Sequence, residues 1–195
     1  HYDVWPGRAI TPETEPALTE AIIISNRKRG QQDDSAHGII HRALTAIRLK
    51  DMEEAMQNLS QLFNHGFVRR TLQTSHFPYR GVFPDLQGAV PAFLVEMCVF
   101  SEPGTVELLP AMPDNLMTGS IDGVWLYTFA KLNHMAWTPS GAAASLTSNE
   151  AQTLTLRCRK PGCRILINGA EMPMDGDHTS YSFAKGETIA IELKY

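Results

Sequence analysis

Up to about residue 101 the apolar positions follow a helical period, and beyond it they fall at alternate positions. The opening, His1 to Pro16, carries Pro6, Gly7, Pro12 and Pro16 and predicts a loop that hands over to a helix at Thr11-Pro12-Glu13 or Thr14-Glu15-Pro16. Ala17 to Arg29 holds good helix formers and closes on Gly30, a natural C-cap. Asp34 or Ser35 is positioned to cap a second helix, whose Ile39, Ile40, Ala43, Leu44 and Ile47 make one apolar stripe. Asp51 caps a third, Met52 to Asn64, with Met56, Leu59 and Phe63 on one face and His65-Gly66 at its end. From Phe67 to Pro84 no helical period survives, and Pro78, Gly81 and Pro84 mark a long loop of the kind that carries function. Leu86 to Ser101 reads as an apolar helix, interrupted near its start by Pro91 and suited to burial on most sides.

After Glu102-Pro103-Gly104 the period is two. Strands are predicted at Val106 to Leu109, Gly123 to Phe129, Lys131 to Trp137, Ala142 to Thr147, Thr153 to Cys158, Arg164 to Ile167, Thr179 to Phe183 and Thr188 to Leu193. Their short, regular spacing predicts an antiparallel sandwich or a related all-β domain. The organisation expected is therefore α+β in series, residues 1–101 helical and residues 102–195 all-β. Four helices and a loop of some 18 residues make a thin helical unit, and missing helices are its simplest explanation.

Composition narrows the function more than the fold. A formal charge of −4 leaves no basic face for phosphates, so nucleic acid is not an expected partner. The basic run Arg27-Lys28-Arg29 reads as the last turn of a helix, where cations suit the dipole. No stretch approaches the length of a membrane span; the best, Val90 to Phe100, contains Pro91 and Glu96, and a soluble chain is expected. The chain opens on His1 rather than Met, with no secretion-signal pattern, so an earlier or processed start is expected and this end leaves the compartment open. Three cysteines leave at least one unpaired. Cys98 reads as a core residue, while Cys158 and Cys163 flank Arg159-Lys160-Pro161-Gly162, a turn able to set them opposite each other as a disulfide or as two ordinary strand cysteines.

Few constellations carry chemistry. His37 and His41 share a helix face at the spacing of two metal ligands, but no His-Glu-x-x-His pattern forms and only Asp33 and Asp34 are near as third ligands, so no metal and no cofactor are assigned. There is no phosphate loop, no Gly-x-Ser-x-Gly elbow and no cysteine in a nucleophile's setting. The stretch from His76 to Gly88 remains, with His76, Tyr79, Arg80, Asp85 and Gln87 among aromatic residues and prolines. By pattern alone Asp85 is a helix N-cap. An aromatic-rich polar loop also suits sugar binding, with rings on apolar sugar faces and carboxylates or amides on hydroxyls.

Several motifs agree, in order, with one family. Trp5-Pro6-Gly7-Arg8-Ala9-Ile10 resembles a Tyr-Pro-Gly-Arg segment, and Arg27 to Gly30 an Arg-Arg-Gly helix end. Arg48-Leu49-Lys50-Asp51 resembles Arg-Leu-Gly-Asp; Leu72 to Pro78 resembles a segment ending His-Pro-Pro-Phe; Asp85 to Met97 resembles Asp-Gly-Asn-Phe-Gly and a helix ending Glu-Met. Val106 to Pro113 is similar to Leu-Leu-Pro-Ala-Leu-Pro, and Gly119 to Val124 to Gly-Ser-Val-x-Gly-Leu. Together, over residues 1–137, they resemble the C-terminal third of glycoside hydrolase family 95, the inverting 1,2-α-L-fucosidases and related α-L-galactosidases.

The resemblance implies that the helices are the last of an (α/α)6 barrel and that a C-terminal antiparallel β-sandwich follows. It also implies that Asp85 holds the position of the general base, with His76 and Gln87 as substrate-binding residues. An inverting hydrolase needs a second carboxyl, roughly 6.5 to 9.5 Å from the base, to protonate the leaving oxygen. In the family that acid is a Glu lying upstream with the assisting asparagines. The partners implied are an oligosaccharide or glycan substrate and a missing N-terminal part of the same polypeptide, in a secreted or periplasmic setting. This sequence departs from the pattern in two places. The family's Gln-Ile-Asp-Gly-Asn becomes Val82-Phe83-Pro84-Asp85-Leu86-Gln87, and two family tryptophans are replaced by His37 and His41. The alternative reading is a non-catalytic carbohydrate-binding protein or inactive homologue in which Asp85 caps its helix.

Overall fold

The computed structural model describes residues 1–29, 35–113, 116 and 118–195. The chain divides into two compact units, His1–Glu96 and Met97–Tyr195. It is a mixed α+β chain of helices followed by mainly antiparallel sheets.

The first unit carries helices α1 (Pro16–Arg29), α2 (Ala36–Arg48), α3 (Met52–Asn64) and most of α4 (Pro84–Cys98). Ser35 caps α2, its Oγ accepting the Gly38 N–H at 3.3 Å, and Asp51 caps α3 through Glu54 N–H at 3.4 Å. Gly30 and Asp34, expected as caps, and Asp33 lie outside the described residues. The stripe of α2 is buried as its spacing predicts, with Ile39, Leu44 and Ile47 at its centre.

Polar pairs fasten these helices. Asp51 also takes a two-pronged bond from Arg27 of α1 at 2.7 and 2.6 Å. Arg48, at the end of α2, grips the Glu96 carboxylate of α4 at 2.8 and 2.6 Å, and donates to the carbonyls of Val4 and Gly7 at 2.8 and 2.7 Å. Gly7 is needed in that N-terminal loop, because a Cβ there would lie 2.4 Å from the Tyr2 carbonyl oxygen. Three of the recognisable motifs, at Gly7, Arg48 and Glu96, thus meet at one structural clasp.

The loop from Phe67 to Pro84 is more ordered than its composition predicts. It contains a hairpin of β1 (Ser75–Phe77) and β2 (Arg80–Val82), turned by Pro78 and Tyr79, the latter at φ +58°. Pro at the first and positive φ at the second turn position define a type II turn.

In the second unit, β5 (Gly119–Leu126), β6 (Ala130–Thr138), β7 (Gly141–Ser148), β9 (Arg164–Ile167), β10 (Ala170–Glu171) and β12 (Thr188–Lys194) form a six-stranded sheet in the order β10-β9-β12-β7-β6-β5. A four-stranded sheet has the order β11-β8-β4-β3, from β3 (Val99–Glu102), β4 (Thr105–Leu108), β8 (Gln152–Arg157) and β11 (His178–Phe183). Alternation sets the buried faces: Ile189, Ile191 and Leu193 of β12, and Leu154 and Leu156 of β8. In β6 a bulge between Leu132 and His134 shifts the parity, so Ala130 and Leu132 are buried together with Met135 and Trp137.

Three expectations are corrected. Val99 to Ser101, expected as helix, are strand β3, because an unbroken apolar run from Met97 to Phe100 fits either state. The sheets are not wholly antiparallel: β4 runs parallel to β8, which the long excursion through β5, β6 and β7 permits. Cys158 and Cys163 do not flank a hairpin, since β8 and β9 belong to different sheets and the turn between them crosses over. All three cysteines are free and buried, and burial pushes the Cys98 thiol up to about 11.

Candidate active site

His37, His41 and His76, three of the residues singled out in the sequence, fall on one run of rings in the helical unit. Trp5 meets His41 edge-on at 4.7 Å between centroids, and Tyr2 meets the same ring at 5.5 Å. His41 lies 4.5 Å from His37, one turn earlier on α2; His37 meets Phe83 at 6.1 Å, Phe83 meets His76 at 5.0 Å, and His76 meets Phe77 at 4.5 Å. Three segments distant in sequence supply these seven rings: the N-terminal loop held by Arg48, one face of α2, and the hairpin before α4. All seven are half-buried or exposed, so the run lines a surface rather than a core.

Phe83 is the fixed point of this path. Its N–H donates to the Thr74 carbonyl at 3.2 Å, and its own carbonyl accepts the Thr74 hydroxyl at 2.5 Å. Thr74 is buried at 2% exposure, so the clamp excludes solvent. Since Phe83 directly precedes α4, the clamp also sets where that helix starts.

Asp85 stands in the first turn of α4, exposed to solvent. The expectation that it caps the helix is not met: Pro84 occupies the first helical position, where a missing N–H costs nothing, and Asp85 is already inside. Among the described residues no hydrogen bond or ion pair engages its carboxylate. A carboxylate that is neither a cap nor a salt-bridge partner is available for a ligand or a water molecule.

His76 is half-buried between Phe77 and Phe83, and its Nδ1 is buried with no hydrogen-bond partner among the described residues. That atom can donate or accept a hydrogen bond but is closed off from solvent. His41 titrates below the ordinary histidine range, first because it is partly buried and second because His37 is close, which leaves it neutral at pH 7. Among the described residues no group of three or more His, Cys, Asp and Glu side chains is arranged around a metal position.

Gln87 is not brought to the same place. Two residues along a helix turn the side chain by roughly 200°, so Gln87 and Asp85 point to opposite sides of α4. Gln87 instead lines an apolar cavity of about 420 Å³ with Phe63, Val68, Leu72, Leu86 and Leu94. Trp5, Tyr2 and Phe83 were not singled out from the sequence as site residues. The signal that was available is the Trp5-Pro6-Gly7 motif, whose glycine and loop geometry bring Trp5 onto α2.

The similarity to glycoside hydrolases carried by the ordered motifs is borne out by comparison with known proteins. Alpha-L-fucosidase 2 of Arabidopsis thaliana is 28% identical over 134 residues, which are 63% of this chain and 15% of that relative. The chain thus spans a small part of the relative it matches. No protein-family model matches the chain. Among solved structures, a GH127 beta-L-arabinofuranosidase from Geobacillus stearothermophilus T6 overlays 80% of this chain and 30% of its own at 12% identity, with a TM-score of 0.38. An overlay that loose defines neither fold nor function.

Proposed function

We propose that this chain is the C-terminal part of a larger glycoside hydrolase that removes a terminal α-linked L-fucose or a related sugar with inversion. The helical unit is the tail of an (α/α)6 barrel and the β unit the sandwich that follows it. Asp85 is the general base: it takes a proton from the water that attacks the anomeric carbon, while a Glu from the upstream polypeptide protonates the departing oxygen. His76 belongs to the substrate-binding surface, and the rings from Trp5 to Phe77 stack on the apolar faces of the glycan.

The observation that carries the reading is the Asp85 carboxylate, uncommitted to any group among the described residues and two residues beyond the clamped Phe83 of the ring path. The Gln87 side chain, on the other side of α4, has no part in it. The full-length protein assayed on aryl α-L-fucosides and α-L-galactosides tests the proposal. Asp85→Asn is expected to lower kcat by at least about 100-fold with little change in KM, and the first-formed sugar, followed by NMR, is expected to have the inverted anomeric configuration. Activity in the mutant within a few-fold of wild type removes Asp85 from this role. Sugar binding without turnover in the wild type favours the non-catalytic alternative, to which the histidines at positions 37 and 41 give some support.

A further inference from the structure

The Arg48–Glu96 clasp shares its helix faces with the candidate site. In α4, Asp85 and Glu96 are separated by about three helical turns, so both side chains leave the same side of the helix. In α2, His37, His41 and Arg48 stand at i, i+4 and i+11 and likewise share one face. The two faces look toward each other. His37 meets the Phe83 ring at 6.1 Å where both helices begin, and Arg48 grips Glu96 where both end. Helices α2 and α4 therefore lie side by side and run in the same direction, with Asp85 and the two histidines toward one end and the ion pair at the other.

This pair is built to set direction. Its side chains are 8% and 17% exposed, and Arg48 Nε and Nη2 donate to the two carboxylate oxygens at 2.8 and 2.6 Å, a fork that fixes angle as well as distance. Between Asp85 and Glu96 the same face of α4 carries Ala89 and Ala92, so Glu96 is the long polar side chain by which that face reaches α2. The remaining nitrogen of the fork, Nη1, donates to the carbonyls of Val4 and Gly7 at 2.8 and 2.7 Å. Those carbonyls flank Trp5 and Pro6, and Val4 is buried. One guanidinium thus holds the helix that bears Asp85 and the loop that seats Trp5 against His41 at 4.7 Å.

We infer that Arg48 and Glu96 are positioning residues of the candidate site, Glu96 setting the direction of Asp85 and Arg48 setting both that carboxylate and the Trp5 ring.

The inference rests on the glycosidase reading above, in which neither residue touches the sugar. Substitutions separate the two roles. Glu96→Gln leaves the bonds from Arg48 to the loop in place but replaces a charged, two-oxygen acceptor by an amide with one, so it loosens α4 alone. Trp5→Ala removes the ring and leaves α4 held. Arg48→Lys offers a single ammonium in place of the fork and loosens both.

The full-length protein is assayed on 2′-fucosyllactose or its α-L-galactosyl analogue, whichever the wild type hydrolyses, and each variant's melting temperature is measured beside its kinetics. Glu96→Gln is expected to lower kcat about 10-fold with KM little changed, because a small misdirection of the base is felt in the transition state. Trp5→Ala is expected to act on KM instead, raising it about 5-fold, and Arg48→Lys to move both constants. If Glu96→Gln does not fold, Glu96→Asp, which keeps the charge on a shorter arm, takes its place with the same expected split. A merely structural clasp lowers the melting temperature and the yield of active protein without dividing kcat from KM between these variants. A folded Glu96 variant with kcat within about two-fold of wild type overturns the inference, as does a Trp5→Ala effect confined to kcat. The reading it rests on is judged apart from it: Asp85→Asn inactive beside an unaffected Glu96→Gln sinks the positioning role alone, whereas a wild type that turns over neither substrate sinks both.

Discussion

Lys50 sits at φ +64°, in the left-handed region, between the C-terminal end of α2 and the cap of α3. The chain must reverse there within three residues so that Arg48 can reach Glu96 while Asp51 receives Arg27. The motif that Arg48-Leu49-Lys50-Asp51 resembles has glycine at this place, which adopts such a conformation without a Cβ clash. For a residue with a side chain the conformation costs about 1 to 2 kcal/mol, partly offset by the larger entropy that glycine loses on folding. Lys50→Gly is therefore expected to stabilise the helical unit by about 0.5 to 1 kcal/mol. Urea unfolding checks it, through a raised midpoint at unchanged slope. A lowered midpoint would mean that the contacts of the lysine side chain outweigh the backbone strain.

At the level of elements, Thr74 decides where α4 begins. Its hydroxyl and carbonyl hold both polar groups of Phe83, so the first turn, and Asp85 with it, inherits a fixed origin. Thr74→Val keeps the shape and the backbone bond but strands the Phe83 carbonyl. A loss of about 1 to 2 kcal/mol in stability is expected, measured by denaturant unfolding, with the hairpin β1–β2 showing faster amide exchange than in wild type. An unchanged exchange rate there would show that the hairpin does not depend on the clamp. Much of this region is hard to read in sequence, and the reasons are physical. Asp51 and Ser35 could be read as caps because a short polar side chain before an apolar stripe has one strong use. The hairpin could not, because strands of three residues among Pro78, Gly81 and Pro84 show no period at all. Strand β3 was hidden for the opposite reason, an apolar run that suits either state. Asp85 was legible as a position of interest through motif order, but that it would be uncommitted depended on Pro84 taking the first helical place. The separation of Gln87 from Asp85 followed once residues 84 to 98 were helical throughout.

On the scale of the whole molecule the two units differ in how completely they bury their own apolar groups. The β unit encloses Leu108, Leu132, Met135, Leu146 and Leu154 almost entirely, from both of its sheets. The helical unit leaves Leu72 at 70%, Phe63 at 45% and Leu94 at 42% exposed around the cavity of about 420 Å³ that α3 and α4 share with the Val68 segment. Exposed apolar patches of this kind mark surfaces that meet another protein element. Under the proposed reading that element is the upstream barrel of the same polypeptide, and the consequence can be measured. The 195-residue chain is expected to bind a hydrophobic dye such as ANS, and Leu72→Glu with Leu94→Glu is expected to lower that binding by well over half without lowering the melting temperature, because neither side chain is buried. A longer protein that includes the upstream sequence is expected to bind little dye, and there the same two substitutions are expected to destabilise by about 1 to 3 kcal/mol each, since charge is then placed in a closed interface. If the substitutions are equally harmless in the longer protein, the groove is not where the upstream polypeptide rests, and the helical unit is not the end of a barrel.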